Sequence, residues 1–372
     1  MENHAELMYN RADCRNDGMN ARERFQHIMN YEPVDRLPVI LLEPFEGYGV
    51  EQWVEQGQLP ADIRPDEFLG ADVIRRLPLN FSPLPAFEPT VLSEDEQYYV
   101  EIDWMGGKVR RDKSAPGMYY GHFDHPVKNM DNWERYKERF QAAGRAPADI
   151  DAVCAGLNVA EVPVGLDLFP FFFRLGFYSM GMEPFLTAFY DQPELIHAMF
   201  SYWSGFMLKV LRPVLPKVKL DYVTIAEDLA YRGGPLISRE IYKEFWLPYQ
   251  DPIIQELRKH DVRLIAMWSA GDLNALLPLF MEHGMNSTWP LESPQMDPYL
   301  LRERYGKELR LAGGISKQTL IDGPDAIDRE LERLMPIIAE GGFIPAPDDC
   351  IPPEVPFDTF RHYIEAVRAI RL

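Results

Sequence analysis

The chain has 372 residues, 46% of them hydrophobic and 26% charged, with a formal net charge of −20. That is the composition of a globular protein, and an acidic balance of this size repels nucleic acid and anionic lipid. No apolar run reaches the roughly 18–20 residues that a membrane-spanning helix needs. Three scattered cysteines, Cys14, Cys154 and Cys350, suit a reducing cytoplasm better than a disulfide framework.

Residues 1–19 are polar and mixed in charge, which predicts an N-terminal extension and not a signal peptide. The first two apolar runs of strand length are Leu37–Leu42 and Ala71–Leu77. Beyond them, Gln97–Val100 and Lys108–Arg111 flank Met105-Gly106-Gly107 and predict a β-hairpin insertion. From there the chain alternates short apolar runs with longer amphipathic ones. Leu157–Gly165, Tyr222–Ala226, Val262–Met267, Ser287–Trp289, Leu309–Ala312 and Gly342–Ala346 read as buried strands, each followed by helical spacing. Ser238 and Asp272 are the expected starts of two helices. Asp325–Ile338, closed by Gly341-Gly342, predicts a third, and Phe357–Ile370 the last.

Eight strands joined mainly by helices predict an α/β fold, a single closed (β/α)₈ TIM barrel over residues 20–372. An open doubly wound sheet would want a glycine fingerprint after its first strand, and none is present.

Active sites of such barrels lie at the C-terminal ends of the strands. Glu227, Asp228 and Asp348 fall there and are the candidate catalytic residues. Carboxyls crowded into one pocket raise one another's pKa, and burial adds to the effect. A carboxylic acid poised in that way is a general acid or base. Capping of the following helix or turn is the alternative for Asp228 and Asp348. The candidate substrate-binding residues are Glu43, Trp268, Ser269, Trp289, Lys317 and Asp349. Trp268 and Trp289 offer a wall for a ring or a cation, or they plug the barrel top. Gly313-Gly314 with Lys317 would suit a phosphate, although a tight corner explains the glycines without one. None of the eight histidines falls at a strand end after Leu157, so no metal site is expected.

Several short motifs follow one another in a telling order: Arg22-Glu23-Arg24, then Pro33-Val34-Asp35-Arg36-Leu37-Pro38, then Glu227-Asp228 with Gly233-Gly234-Pro235-Leu236-Ile237-Ser238. Gly313-Gly314-Ile315, Pro345-Ala346-Pro347-Asp348 and Ile351-Pro352-Pro353 complete the series. From about Asn20 to the C-terminus this order resembles the uroporphyrinogen decarboxylase superfamily, which implies a barrel enzyme. True decarboxylases of that superfamily carry an arginine-rich motif containing Gln-Ala-Gly-Arg after the first strand. Here Glu43-Pro44-Phe45-Glu46-Gly47 stands in its place, acidic where it should be basic. Corrinoid-dependent methyltransferases of the superfamily bind zinc through a His-x-Cys and a later Cys. Those positions fall here on Trp268, Ala270, and Asp349 or its neighbour Cys350, and neither Trp nor Ala can ligate zinc.

The resemblance therefore implies the methyltransferase-like branch in a zinc-independent form. A methyl group would pass from a small methylated substrate to a corrinoid (cobalamin) supplied by a partner protein, with no tightly bound cofactor. A decarboxylase-like carboxy-lyase and a non-catalytic ligand-binding barrel are the alternatives. No nucleic-acid or membrane partner is expected.

Overall fold

A computed structural model describes residues 18–41, 48–113, 119–292 and 294–372. In chain order its strands are β1 (Arg75–Arg76), β2 (Thr90–Glu94), β3 (Tyr98–Ile102), β4 (Lys108–Asp112), β5 (Tyr119–Asp124), β6 (Val164–Leu168) and β7 (Tyr222–Ala226). They continue with β8 (Ala230–Tyr231), β9 (Gly234–Pro235), β10 (Ile265–Trp268), β11 (Ser287–Leu291), β12 (Arg310–Ile315) and β13 (Phe343–Pro347). Seven of them form one parallel sheet in the order β1-β6-β7-β10-β11-β12-β13. Helices link its successive strands, and β7, β11 and β13 are buried along their whole length. That is the pattern of a parallel sheet covered on both faces, and it confirms the α/β class.

The sheet curls. Tyr222 on β7 and Trp289 on β11 meet edge to face at 5.6 Å although β10 lies between their strands. Phe25 of the Ala21–Met29 helix packs on Tyr222 at 5.6 Å and fills the N-terminal end of the concave side. Gly165 on β6 must be a glycine, because a Cβ there would sit 2.1 Å from Tyr222 Cζ. The opening helix is held by a reciprocal capping box between Asn20 and Glu23, which satisfies two of its free donors. Ser238 caps its helix as the sequence predicts.

The strand read at Leu157–Gly165 begins only at Val164, because Leu157 and Asn158 still belong to the Ile150–Asn158 helix. Three further expectations need correction. Leu37–Leu41 is not a strand of the sheet, so the described residues give seven parallel strands and not eight. The physical reason is Asp72. Its carboxylate accepts the Val39 N–H at 2.9 Å and two Arg36 N–H groups at 2.7 Å each. A side chain has taken the place that a neighbouring strand's carbonyl would occupy, and β1 shrinks to two residues. Second, the predicted hairpin is the centre of a four-stranded antiparallel sheet, β2-β3-β4-β5. Third, Asp272 closes a turn by accepting the Asn274 N–H at 2.9 Å, and the helix begins only at Leu277.

The antiparallel insertion is anchored to the main fold by its central turn. Trp104, between β3 and β4, stacks on Phe169 at 5.7 Å and meets Tyr178 edge to face at 5.2 Å. The insertion thus reaches the loop that follows β6, at the C-terminal end of the parallel sheet.

Candidate functional site

Side chains alternate across a strand, so Tyr222, Thr224 and Ala226 of β7 share the concave face. Glu227 falls on the opposite side. It is fully buried, and its Oε2 accepts the backbone N–H groups of Phe173 at 2.8 Å and Arg174 at 3.2 Å. Its Oε1 accepts the indole N–H of Trp246 at 2.9 Å. The Phe172–Met180 helix has no side-chain cap of its own, so a strand-borne carboxylate satisfies its free donors and faces its positive end. Burial pushes the Glu227 carboxyl up to about 8, against the pull of the three N–H donors and of Arg174. Glu227 therefore sits in the helical layer, apart from the cavity that the sequence assigns to it.

Its neighbour Asp228 is side-chain exposed by 37% and pairs with Arg174, Nη2 to Oδ2, at 3.0 Å. Arg174 sits in the first turn of the helix that Glu227 caps. Its guanidinium lies 4.8 Å from the ring centroid of Trp268 and 5.3 Å from that of Phe169, and Nη1 donates to the Tyr178 hydroxyl at 3.1 Å. Nε is buried with no hydrogen-bond partner among the described residues. Desolvation raises the pKa of Asp228 even though the Arg174 charge opposes the shift, and the charge of Asp349 adds to it.

Asp349 belongs to the second half of the site, which follows β12 and β13. Asp348 is buried, and its Oδ1 accepts the Lys317 N–H at 2.9 Å. Its pKa rises to about 6, driven first by desolvation, with Lys317 opposing and Asp349 and Glu292 adding repulsion. Lys317 Nζ donates to Asp349 Oδ2 at 2.6 Å, and Asp349 Oδ1 accepts the Cys350 N–H at 2.7 Å. Burial works against the Lys317 charge, but Asp349, Asp348 and Glu292 hold its pKa above the ordinary value. This lysine is tied to the carboxylates, which weighs for the tight-corner reading of Gly313-Gly314.

The remaining candidates divide. Trp268, half-buried, is part of the site through Arg174. Trp289, its register partner on β11, is 2% exposed and packed on Tyr222, so it fills the concave side of the sheet. Ser269 is buried and its hydroxyl accepts the Leu229 N–H at 2.9 Å, which stitches two strand ends together. Glu43 lies outside the described residues. The sequence reading missed Arg174 and the concave-face pair Arg76–Asp167. The signal available was a lone charge inside an otherwise apolar run, seen at both Asp167 and Arg174.

Among the described residues no three His, Cys, Asp or Glu side chains converge as a metal-binding group. The family model described as Uroporphyrinogen decarboxylase (URO-D) matches residues 101–370. Two curated relatives, from Methanosarcina acetivorans and Methanosarcina mazei, are both called methylcobamide:CoM methyltransferase MtbA. They are 21% and 20% identical over 259 residues, which is 68% of this chain and 71% of theirs.

Proposed function

Because this chain belongs to the uroporphyrinogen decarboxylase (URO-D) family of enzymes, we propose that it is a methyltransferase that exchanges a methyl group between a small molecule and a corrinoid. In this reading the corrinoid (cobalamin) is a co-substrate, presented by a separate protein that docks over the strand ends. The relatives' name places methylcobamide on one side of their reaction. Leu37–Leu41 completes the barrel on the same reading. Val39 C=O accepts the Asp72 N–H beside β1 at 2.7 Å, and Gly49 N–H reaches Ile351 just past β13 at 3.1 Å.

The observation that carries the proposal is Asp348, an acid buried just past β13 beside Lys317 and Asp349, where burial pushes its pKa up to about 6. A corrinoid presented at the strand ends would supply the electron pair that takes up the methyl group, and the methyl–oxygen or methyl–nitrogen bond would break. The leaving group takes that bond's electrons and needs a proton. Asp348 supplies it, with Asp228 as the second acid at the cavity, and solvent reprotonates the carboxylate afterwards.

The test mixes the protein with reduced corrinoid protein and a panel of methoxy and methylamine compounds, and follows methyl-Co(III) by absorbance. Turnover that falls by about 10²–10⁴ in Asp348→Asn is expected. Release of CO₂ from a carboxylated substrate with no methyl transfer would move the protein to the carboxy-lyase reading. Binding without turnover of any kind would leave a ligand-binding barrel.

A further inference from the structure

We infer that Arg174 is the anchor for a carboxylate on the substrate, which takes the place of Asp228 as the partner of the guanidinium. The methyl donor would then be a small methylated acid and not a methylammonium cation. The inference takes its methyl group from the reading above; the anchor itself stands on separate observations.

The aromatic faces that would otherwise hold a cation are already in use. Arg174 lies against both Trp268 and Phe169, and Trp104 stacks on Phe169 as well. A substrate cation would have to displace a fixed guanidinium and the pairing energy it enjoys there.

Arg174 is also underused compared with the buried arginines that hold the fold. Arg36 makes three hydrogen bonds of 2.7 to 3.0 Å to Asp72 and the Leu37 carbonyl. Arg24 bonds to Asp35 through two nitrogens and also to Asp72 and the Met19 carbonyl. Arg174, with five N–H donors, has one ion pair and one hydroxyl acceptor, and a buried Nε that meets nothing among the described residues. Asp228 reaches it through one nitrogen at 3.0 Å, is more than a third exposed, and meets no other side-chain partner among the described residues. A planar carboxylate can engage a guanidinium with two parallel bonds. It would be the better partner, and the freed Asp228 would stay in the cavity beside the substrate.

Binding is measured by calorimetry, without corrinoid protein, for methoxyacetate, 4-methoxybenzoate, their neutral primary amides, and tetramethylammonium. At least one acid is expected to bind about tenfold or more tighter than its amide, as a charge-assisted pair implies. Arg174→Gln should abolish that preference. Asp228→Asn should bind the acid as tightly as the wild type or tighter, because the competitor for Arg174 is gone; this arm decides the matter if Arg174→Gln fails to fold. Acid binding no tighter than amide binding, tighter binding of tetramethylammonium, or weaker acid binding in Asp228→Asn would overturn the anchor. An acid preference with no methyl-Co(III) formed would refute methyl transfer and leave the anchor standing. Methyl transfer without an acid preference would do the reverse.

Discussion

Glu227 and Trp246 are joined by a 2.9 Å hydrogen bond from the indole N–H to Oε1, while the other carboxylate oxygen holds the first turn of the Phe172–Met180 helix. One side chain thus fixes the orientation of the helix that carries Arg174. The Arg174–Asp228 pair inherits its geometry from a residue that takes no part in it.

Above pH 8, where Glu227 is ionised, replacing it with Gln should be costly for that reason. All three neighbours are donors, and an amide NH₂ would face at least one of them. A loss of about 1–3 kcal/mol is expected for a buried donor left without its acceptor, read from the urea midpoint. Stability equal to the wild type would mean that the helix start is held by something else.

Asp348 links stability to pH in a direction opposite to that of a salt-bridged aspartate. Its pKa rises from 3.8 to about 6 on folding, so between those values the folded state binds the extra proton. Stability from this group is full below pH 3.8 and declines as pH rises to about 6, by up to ~3 kcal/mol at 1.4 per pKa unit. Asp348→Asn should remove that decline from a series of denaturation curves. Methyl transfer, which needs the protonated acid, should likewise fall in the wild type as pH rises through about 6.

Gly313 holds the contact between β11 and β12. Its φ is +118°, and a Cβ there would lie 2.3 Å from the Leu291 backbone nitrogen, at the place where the register between the two strands shifts. Gly313→Ala should cost roughly 1–3 kcal/mol from backbone strain alone, more if Leu291 must move. A thermal midpoint unchanged from the wild type would show that the strands can separate freely here.

Much of this was legible in the sequence, and the failures have physical causes. Tyr222–Ala226 was read to the residue because a fully buried parallel strand is a continuous apolar run ended by charge. Leu37–Leu42 carries the same signal, yet the Asp72 carboxylate 33 residues away captures its N–H group, an interaction that no local pattern encodes. Counting strand ends puts Asp228, Trp268 and Asp348 at the C-terminal edge of the parallel sheet. The same count does not separate Glu227 from Asp228, because adjacent residues at a strand end face opposite layers. Arg174 was passed over as an interruption of an apolar stretch, since its partners come from two other segments, Asp228 and Trp268.

Trp104 is expected to be the latch of the insertion. Trp104→Ala removes ring contacts with Phe169 and Tyr178, each worth about 0.5–1.5 kcal/mol beyond buried area. Hydrogen exchange should then speed up at Met105 and Gly107, whose amides bond to the Asp103 carboxylate in the same turn. Amides of β7 and β10 should exchange as before. Uniform acceleration across both sheets would mean that the insertion supports the whole fold.

The dipeptide Glu227-Asp228 assigns two duties to one strand end. Its first member belongs to the scaffold and its second to the cavity, and the alternation of the chain keeps them apart. Residue 228 can therefore be exchanged without touching the carboxylate that holds the start of the helix behind it, although Arg174 in that helix then loses its ion-pair partner. Deleting a single residue ahead of the pair would swap the two faces, burying the cavity acid under a helix and turning the helix anchor into open solvent. The site is thus open to substitution and closed to insertion or deletion at the same point in the chain.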